Sequence, residues 1–302
     1  MLSKFPCDGC MINRCNGPRP ARRRLRWLAV ASVLLALVRA ERTTGAEEDG
    51  AVVQPRDVAA EPRKPPGARR PPKAAGCKPE NFKIALDVGH TPEAPGTTSA
   101  RGAKELAFNL QLARRIQKAL VGGGFLRTKL ITAHGIGRDQ LIKRTEQANG
   151  FGADLLLSIH HDDVQDVFHQ KWTHNGAPHL YSDRFTGYSL FVSRDNRHFE
   201  DSVAFAKLLG TELTALGMSY SAHHAEPIPG EGRQIIDVTA GVYRYDELFV
   251  LKFSVAPAVL LEAGIIVNRV EELVLASPQH QDQIAASTLA ALSAFCTARQ
   301  RG

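Results

Sequence analysis

The stretch Ile84-Ala85-Leu86-Asp87-Val88-Gly89-His90 decides how this chain folds. Its apolar run has the length and composition of a buried strand, and Gly-His ends it abruptly, leaving an imidazole at the strand's carboxyl end. Open α/β sheets place their ligands at that end. Fifteen residues on, Gly102-Ala103-Lys104-Glu105 opens a helix. In its first turn the helix dipole favours the ionised carboxylate of Glu105. Both side chains are of metal-ligand type. Taken singly, each also has a plain reading: His90 as a hydrogen-bonded strand-end residue, Glu105 as an ordinary first-turn acid.

Outward from this stretch, strand and helix signals alternate, the mark of an α/β domain. Residues 82–88 form the first strand. Leu106, Leu110, Ala113, Ile116 and Leu120 recur at helical spacing, and Gly122-Gly123-Gly124 stops that helix. Residues 128–132 read as a second strand, and 139–149 as a second helix with Leu141, Ile142, Thr145 and Ala148 inward. Residues 153–160 are apolar almost throughout, which predicts a central strand, and it too ends in histidine. A strand over 187–193 follows, then a helix through Val203, Ala206, Leu209, Leu213 and Leu216. Another buried strand over 257–261 runs into Glu262-Ala263-Gly264, and a helix over 279–298 closes the pattern. The expected architecture is three-layer α/β: a mostly parallel or mixed central sheet of about five to six strands flanked by helices. Two connections exceed the usual loop length of about four to six residues. They are 162–186, with His169, His174 and His179, and 219–246, with His223 and His224. Such loops are substrate walls or lids, or else surface excursions.

With 302 residues and 43% hydrophobic content the chain can bury a full core. The formal charge is +7, but residues 1–40 hold eight Lys and Arg against the single Asp8. The remainder has 30 basic and 30 acidic residues, so the body is formally neutral and a nucleic-acid partner is not expected. Residues 1–40 have the form of a signal peptide or N-terminal anchor. Ala21-Arg22-Arg23-Arg24-Leu25-Arg26 precedes a short apolar run from Trp27 to Val38, and Val38-Arg39-Ala40 resembles a cleavage site. The run is shorter than the roughly twenty residues of a comfortable span, so cleavage and export to the periplasm or cell envelope are expected. The membrane would be touched only if the segment stays uncleaved. Cys7, Cys10 and Cys15 have knuckle-like spacing, but they precede the cleavage point and Met11 is an alternative start. Residues 41–78, with Pro55, Pro62, Pro65, Pro66, Pro71 and Pro72, are a linker too poor in large apolar residues to fold. The folded domain is placed at 79–302. Past the cleavage point only Cys77 and Cys296 remain, a staple in an oxidising compartment or else two free thiols.

A catalytic zinc takes three protein ligands and keeps a fourth position open. His90, Glu105 and His160 meet that need if the first and third strands are neighbours. His161 is the competing histidine, and adjacent strand residues face opposite sides, so only one of the pair can serve. Glu262, ending a buried strand, is the candidate proton acceptor that is not a ligand. The joint placement of these groups at strand ends and one helix start outweighs the plain reading of each.

These motifs resemble the zinc-dependent N-acetylmuramoyl-L-alanine amidases, the cell-wall amidase catalytic domain. The likeness rests on Leu86-Asp87-Val88-Gly89-His90, on Gly102-x-x-Glu105, and on Arg144 with Ala148-Asn149. It continues through Ala153-Asp154 leading to Ser158-Ile159-His160, and Pro257-Ala258-Val259-Leu260-Leu261-Glu262-x-Gly264 leading to Asn268. The resemblance implies zinc on His90, Glu105 and His160, Glu262 as catalytic carboxylate, and peptidoglycan as substrate. The implied reaction is hydrolysis of the amide between N-acetylmuramic acid and L-alanine. In related enzymes a loop can cover the zinc until an activator protein displaces it. Two departures bear on specificity: Thr91-Pro92-Glu93-Ala94-Pro95-Gly96 follows His90, and His161-Asp162 follows His160, where the family has other residues. The competing functions are a non-catalytic peptidoglycan-binding protein of the same fold and a zinc peptidase cutting within the stem peptide.

Overall fold

The structure, a computed structural model, describes residues 77–299. The leader over 1–40, its cysteines and nearly all of the 41–78 linker lie outside the described residues. In chain order the elements are β1 (Lys83–Val88), α1 (Glu105–Gly122), β2 (Arg127–Ile131), α2 (Gly137–Phe151) and β3 (Leu155–Asp162). There follow β4 (Gln170–His174), β5 (Ala177–Tyr181), β6 (Ser189–Val192), α3 (Phe199–Ala215), β7 (Ile235–Asp237) and β8 (Val242–Arg244). The last are α4 (Phe249–Phe253), β9 (Ala258–Ile265), α5 (Glu271–Ala276) and α6 (Pro278–Arg299).

Seven strands form one sheet in the order β2-β1-β3-β9-β6-β8-β7. The pairs β1–β2, β1–β3 and β3–β9 are parallel, whereas β6 runs antiparallel to β9 and β7 antiparallel to β8. The mixed sheet flanked by helices is the architecture expected. It is wider than the five to six strands anticipated because β7 and β8 lie inside the second long connection. At three residues each, they are too short to carry a period-two signal. The first long connection contains the β4–β5 hairpin, paired only with itself. It turns at Asn175-Gly176, where both residues have positive φ, as a tight two-residue hairpin turn requires.

Side-chain alternation sorts the core into two layers. Ile84, Leu86 and Val88 of β1, Leu155, Leu157 and Ile159 of β3, and Val259 and Leu261 of β9 face one side, where α1, α3 and α6 cover them. Ala85, Leu156, Ala258 and Leu260 face the other, under α2 and α4. On α1 the buried stripe is Phe108, Leu112, Ala113, Ile116 and Leu120, with Leu106 and Leu110 at its half-buried edge. On α2 the inward residues are Arg144, Thr145 and Ala148, while Leu141 and Ile142 are only half-buried. Leu216 is 41% exposed because α3 ends one residue before it.

Cys77 and Cys296 form a disulfide, with Cα atoms 5.4 Å apart and a separation of 219 positions in sequence. It fastens the entry to β1 onto α6, closing nearly the whole domain into a loop. Replacing both cysteines by serine is expected to lower unfolding free energy by about 2–5 kcal/mol. Denaturant titration of the oxidised protein against the double variant measures this.

Candidate active site

The parallel pairing of β1 with β3 brings their carboxyl ends side by side. The Gly89 N–H continues the ladder by donating to Ile159 O at 3.0 Å. Gly89 lies directly against the His160 ring, and a Cβ there would overlap the imidazole, so the position has no room for a side chain. His90 follows with φ 71°, a left-handed conformation that β1 could not continue as strand. Its Nε2 sits 2.8 Å from Glu105 Oε2, and His160 Nδ1 sits 3.1 Å from Glu105 Oε1. The two rings meet edge-on with centroids 5.0 Å apart. The one carboxylate thus faces both imidazoles, one oxygen each, and ligand-type atoms of all three residues lie within 4.8 Å of one another.

Glu105 is 2% exposed and receives further bonds from Thr97 N–H (3.2 Å), His161 N–H (3.3 Å) and Asn109 Nδ2 (3.1 Å). Burial alone would raise its pKa, but the hydrogen bonds and charges of His160 and His90 outweigh that and hold the carboxyl well below its usual range. Burial pushes His160 the other way, toward the neutral imidazole, with the pull of Glu105 too weak to reverse it. Two imidazoles and an ionised carboxylate form a donor set that suits a divalent transition metal. The backbone leaves space for it: at Gly96, with φ 78°, a Cβ would collide with Glu105 Oε2 and approach His90.

His160 and His161 divide as strand phase dictates. His160 joins His90 and Glu105, while His161 bonds through Nδ1 to Asn109 Oδ1 at 2.8 Å on the opposite face. Burial lowers the His161 pKa to about 3, so it is neutral and its Nδ1 donates to that amide oxygen. Asn109 was not singled out in the sequence. It lies one helical turn after Glu105, a spacing that marks a shared helix face, and it joins Glu105, Gly89 O and His161.

Glu262 is register partner to His160 across the β3–β9 pair, so both side chains emerge on the same face. Its Oε2 is buried and has no hydrogen-bond partner among the described residues. Burial raises its pKa well above the usual carboxylate value, and the negative charges of Asp162 and Glu105 add to the effect. A carboxyl kept this dry, beside two other acids, is the environment of a proton-transfer group.

Alongside, a cleft of about 480 Å³ opens between the 97–99 segment and the β4–β5 hairpin; Thr97, Asp163, His169 and His179 line it. The 91–100 segment is stitched in place. Thr91 Oγ1 donates to Gly135 O at 2.7 Å, Thr97 Oγ1 to Asp163 Oδ2 at 2.5 Å, and Ala100 N–H to Ile266 O at 2.9 Å.

Comparison with known proteins adds the decisive observation. The family model described as N-acetylmuramoyl-L-alanine amidase matches residues 84–294, which is most of the chain and all of the sheet but the first residue of β1. The chain belongs to this amidase family. A putative N-acetylmuramoyl-L-alanine amidase of Buchnera aphidicola subsp. Baizongia pistaciae is 26% identical over 215 residues, covering 70% of this chain and 95% of the relative. The fold recurs in the N-acetylmuramyl-L-alanine amidase of Mycobacterium smegmatis, with TM-score 0.55, 19% identity, and coverage of 72% of this chain and 98% of that one. It recurs also in an amidase from Clostridium difficile 630, with TM-score 0.52, 20% identity, and coverage of 71% and 96%. A third structure, the CwlD amidase of Clostridioides difficile in complex with the GerS lipoprotein, has TM-score 0.51 at 18% identity, covering 72% and 100%. Membership makes this chain a cell-wall amide hydrolase.

Beneath this cluster lies a buried ion pair. Arg144 Nε and Nη2 each donate to Asp87 at 2.6 Å, and Ser158 Oγ donates to Asp87 Oδ2 at 2.7 Å. Arg144 is 2% and Asp87 0% exposed. Arg144→Met would strand the Asp87 charge in the core, at an expected cost of about 3–5 kcal/mol. Urea unfolding checks this, and the joint Asp87→Asn, Arg144→Met variant is expected to recover part of the loss.

Proposed function

We propose that the chain is a zinc-dependent N-acetylmuramoyl-L-alanine amidase, with His90, Glu105 and His160 as metal ligands and Glu262 as the catalytic carboxylate. The observation that carries the proposal is the convergence of two imidazoles on one ionised carboxylate, next to a buried and unpartnered acid. When bound, zinc supplies Lewis acidity, polarising the amide carbonyl and making water a better nucleophile. Glu105 and the two histidines hold the centre. The backbone at Gly89 and Gly96 keeps it open, and Asn109 fixes Glu105 from behind. Ionised when a bound cation offsets the burial that favours its neutral form, Glu262 would accept a proton from the attacking water and return it to the leaving nitrogen, the role its position beside His160 fits. The substrate is peptidoglycan, cut between N-acetylmuramic acid and L-alanine, and the cleft beside the β4–β5 hairpin would take its stem peptide.

The leader and linker are proposed to deliver the domain at 79–302 to the periplasm or cell envelope, where this substrate lies. The Cys77–Cys296 disulfide supports an oxidising compartment. A reporter that matures only outside the cytoplasm, fused after residue 78, should be active; an inactive fusion would remove the export reading. A protein partner acting on the 219–246 connection is proposed as activator, supported by the CwlD relative solved with GerS. Turnover that stays the same when residues 227–230 are shortened would speak against it.

Purified cell wall treated with the protein should release stem peptides carrying a free L-alanine amino terminus. Cleavage elsewhere in the stem would indicate a peptidase, and no cleavage a binding protein. Glu262→Gln is expected to keep its zinc at the His90 cluster while losing about 10²–10⁴-fold in turnover. His90→Ala should lose that zinc itself, as read by metal analysis. Gly96→Ala, with no room for its methyl group and a left-handed backbone, should weaken zinc binding at the same cluster; affinity equal to that of the unaltered protein would refute the role assigned to that space.

A further inference from the structure

A second group of metal-type ligands lies at the end of β3. Asp162 is the strand's last residue, and a short 3₁₀ turn over His223–Ala225 carries two adjacent histidines down onto it. His224 Nε2 is 2.9 Å and His223 Nε2 3.2 Å from the same oxygen, Asp162 Oδ2. His223 is 0% and His224 6% exposed, and their ring centroids are 3.8 Å apart.

The outer nitrogens of both rings are already engaged. His224 Nδ1 faces Glu231 Oε2 at 3.1 Å, and His223 Nδ1 faces Ser221 Oγ at 2.9 Å. An ionised Glu231 only accepts, and Gln165 and Arg233 donate to it, so His224 Nδ1 carries the proton and donates. In the neutral ring, Nε2 then points a lone pair at the Asp162 carboxylate. Lone pairs that close require a positive charge between them. His223 Nε2 aims at the same place and makes no hydrogen bond to any described residue. One proton on His224 would satisfy one of these contacts and leave His223 unpartnered; a cation satisfies all three ligands.

The spacing agrees. Donors around a four-coordinate zinc at about 2.0–2.1 Å stand roughly 3.3 Å apart. Here the two nitrogens are 2.9 and 3.2 Å from the oxygen, against 2.8 and 3.1 Å for the corresponding contacts in the His90, Glu105, His160 group. Carboxylate and hydroxyl partners on the outer nitrogens, as Glu231 and Ser221 provide, are what orient metal-binding histidines.

We propose that Asp162, His223 and His224 form a second divalent-cation site, of zinc type, which fastens the 219–246 connection to the end of β3 beside Glu262. Zinc chloride added to the metal-stripped full chain should bind at two sites per chain, one at each of the two groups. Crystals of that protein should show an anomalous peak at the zinc edge within each. His223→Ala and His224→Ala should each remove the second peak and keep the first. Chelation should also speed tryptic cleavage after Arg233, in the segment the cation holds. A single peak, at His90, Glu105 and His160, in zinc-saturated unaltered protein would overturn the inference and leave the proposed function standing. A single peak at Asp162, His223 and His224 would support the inference and count against the metal reading of the first site. Cleavage after Arg233 that ignores chelation would overturn the fastening role.

Discussion

Parallel pairing of β1 with β3 and of β3 with β9 is the constraint on which the rest depends, because parallel strands discharge their carboxyl ends at one edge of the sheet. Register then does the positioning. Asp87 faces Ser158, Gly89 bonds to Ile159, and His160 faces Glu262, each within one layer of side chains. A slip of one residue in β3 would exchange His160 for His161 and turn the assembled donor set into the opposite face. The apolar residues at alternate positions of the same strands, packed under α1, α3 and α6, make such a slip costly.

The buried acids Asp87, Glu105 and Glu262 and the half-buried Asp162 cluster around this edge, and the fold treats each differently. Asp87 is neutralised by a bidentate arginine. Glu105 is held ionised by His90 and His160. Asp162 faces two imidazoles, with His224 Nε2 at 2.9 Å and His223 Nε2 at 3.2 Å from its Oδ2. Glu262 alone has no cationic or donating partner among the described residues, and burial pushes it toward the neutral form. Uncompensated acids are costly in a core, and that exception is what singles Glu262 out as the proposed proton-transfer group. The buried pair of Asp87 with Arg144 fixes α2 to the sheet beneath these side chains.

The two long connections are not loose excursions. One folds into the β4–β5 hairpin, where Trp172 Nε1 donates to Ala100 O at 2.9 Å and Arg101 and Arg269 lie over the indole. The other adds β7 and β8 to the sheet and lowers two histidines onto Asp162. Both therefore form walls around the carboxyl edge, with a rigidity that comes from backbone pairing and buried polar contacts.

The strands and helices of the central sheet were legible in the sequence because each carries its own period: apolar runs for β1, β3 and β9, a helical stripe for α1. His90, Glu105, His160 and Glu262 could be named because they sit where the apolar runs break off and at a helix start, although β3 and β9 themselves run on to Asp162 and Ile265. Three-residue strands have no period to read, so β7 and β8 were hidden inside a connection. Arg144 stood on the inner face of α2, yet only contact with Asp87 explains a guanidinium there. Local sequence determined which elements form and which of their faces are apolar. The meeting of His223 and His224 with Asp162, some sixty residues away, was decided by tertiary structure alone, since no local pattern records which distant carboxylate a loop histidine will reach.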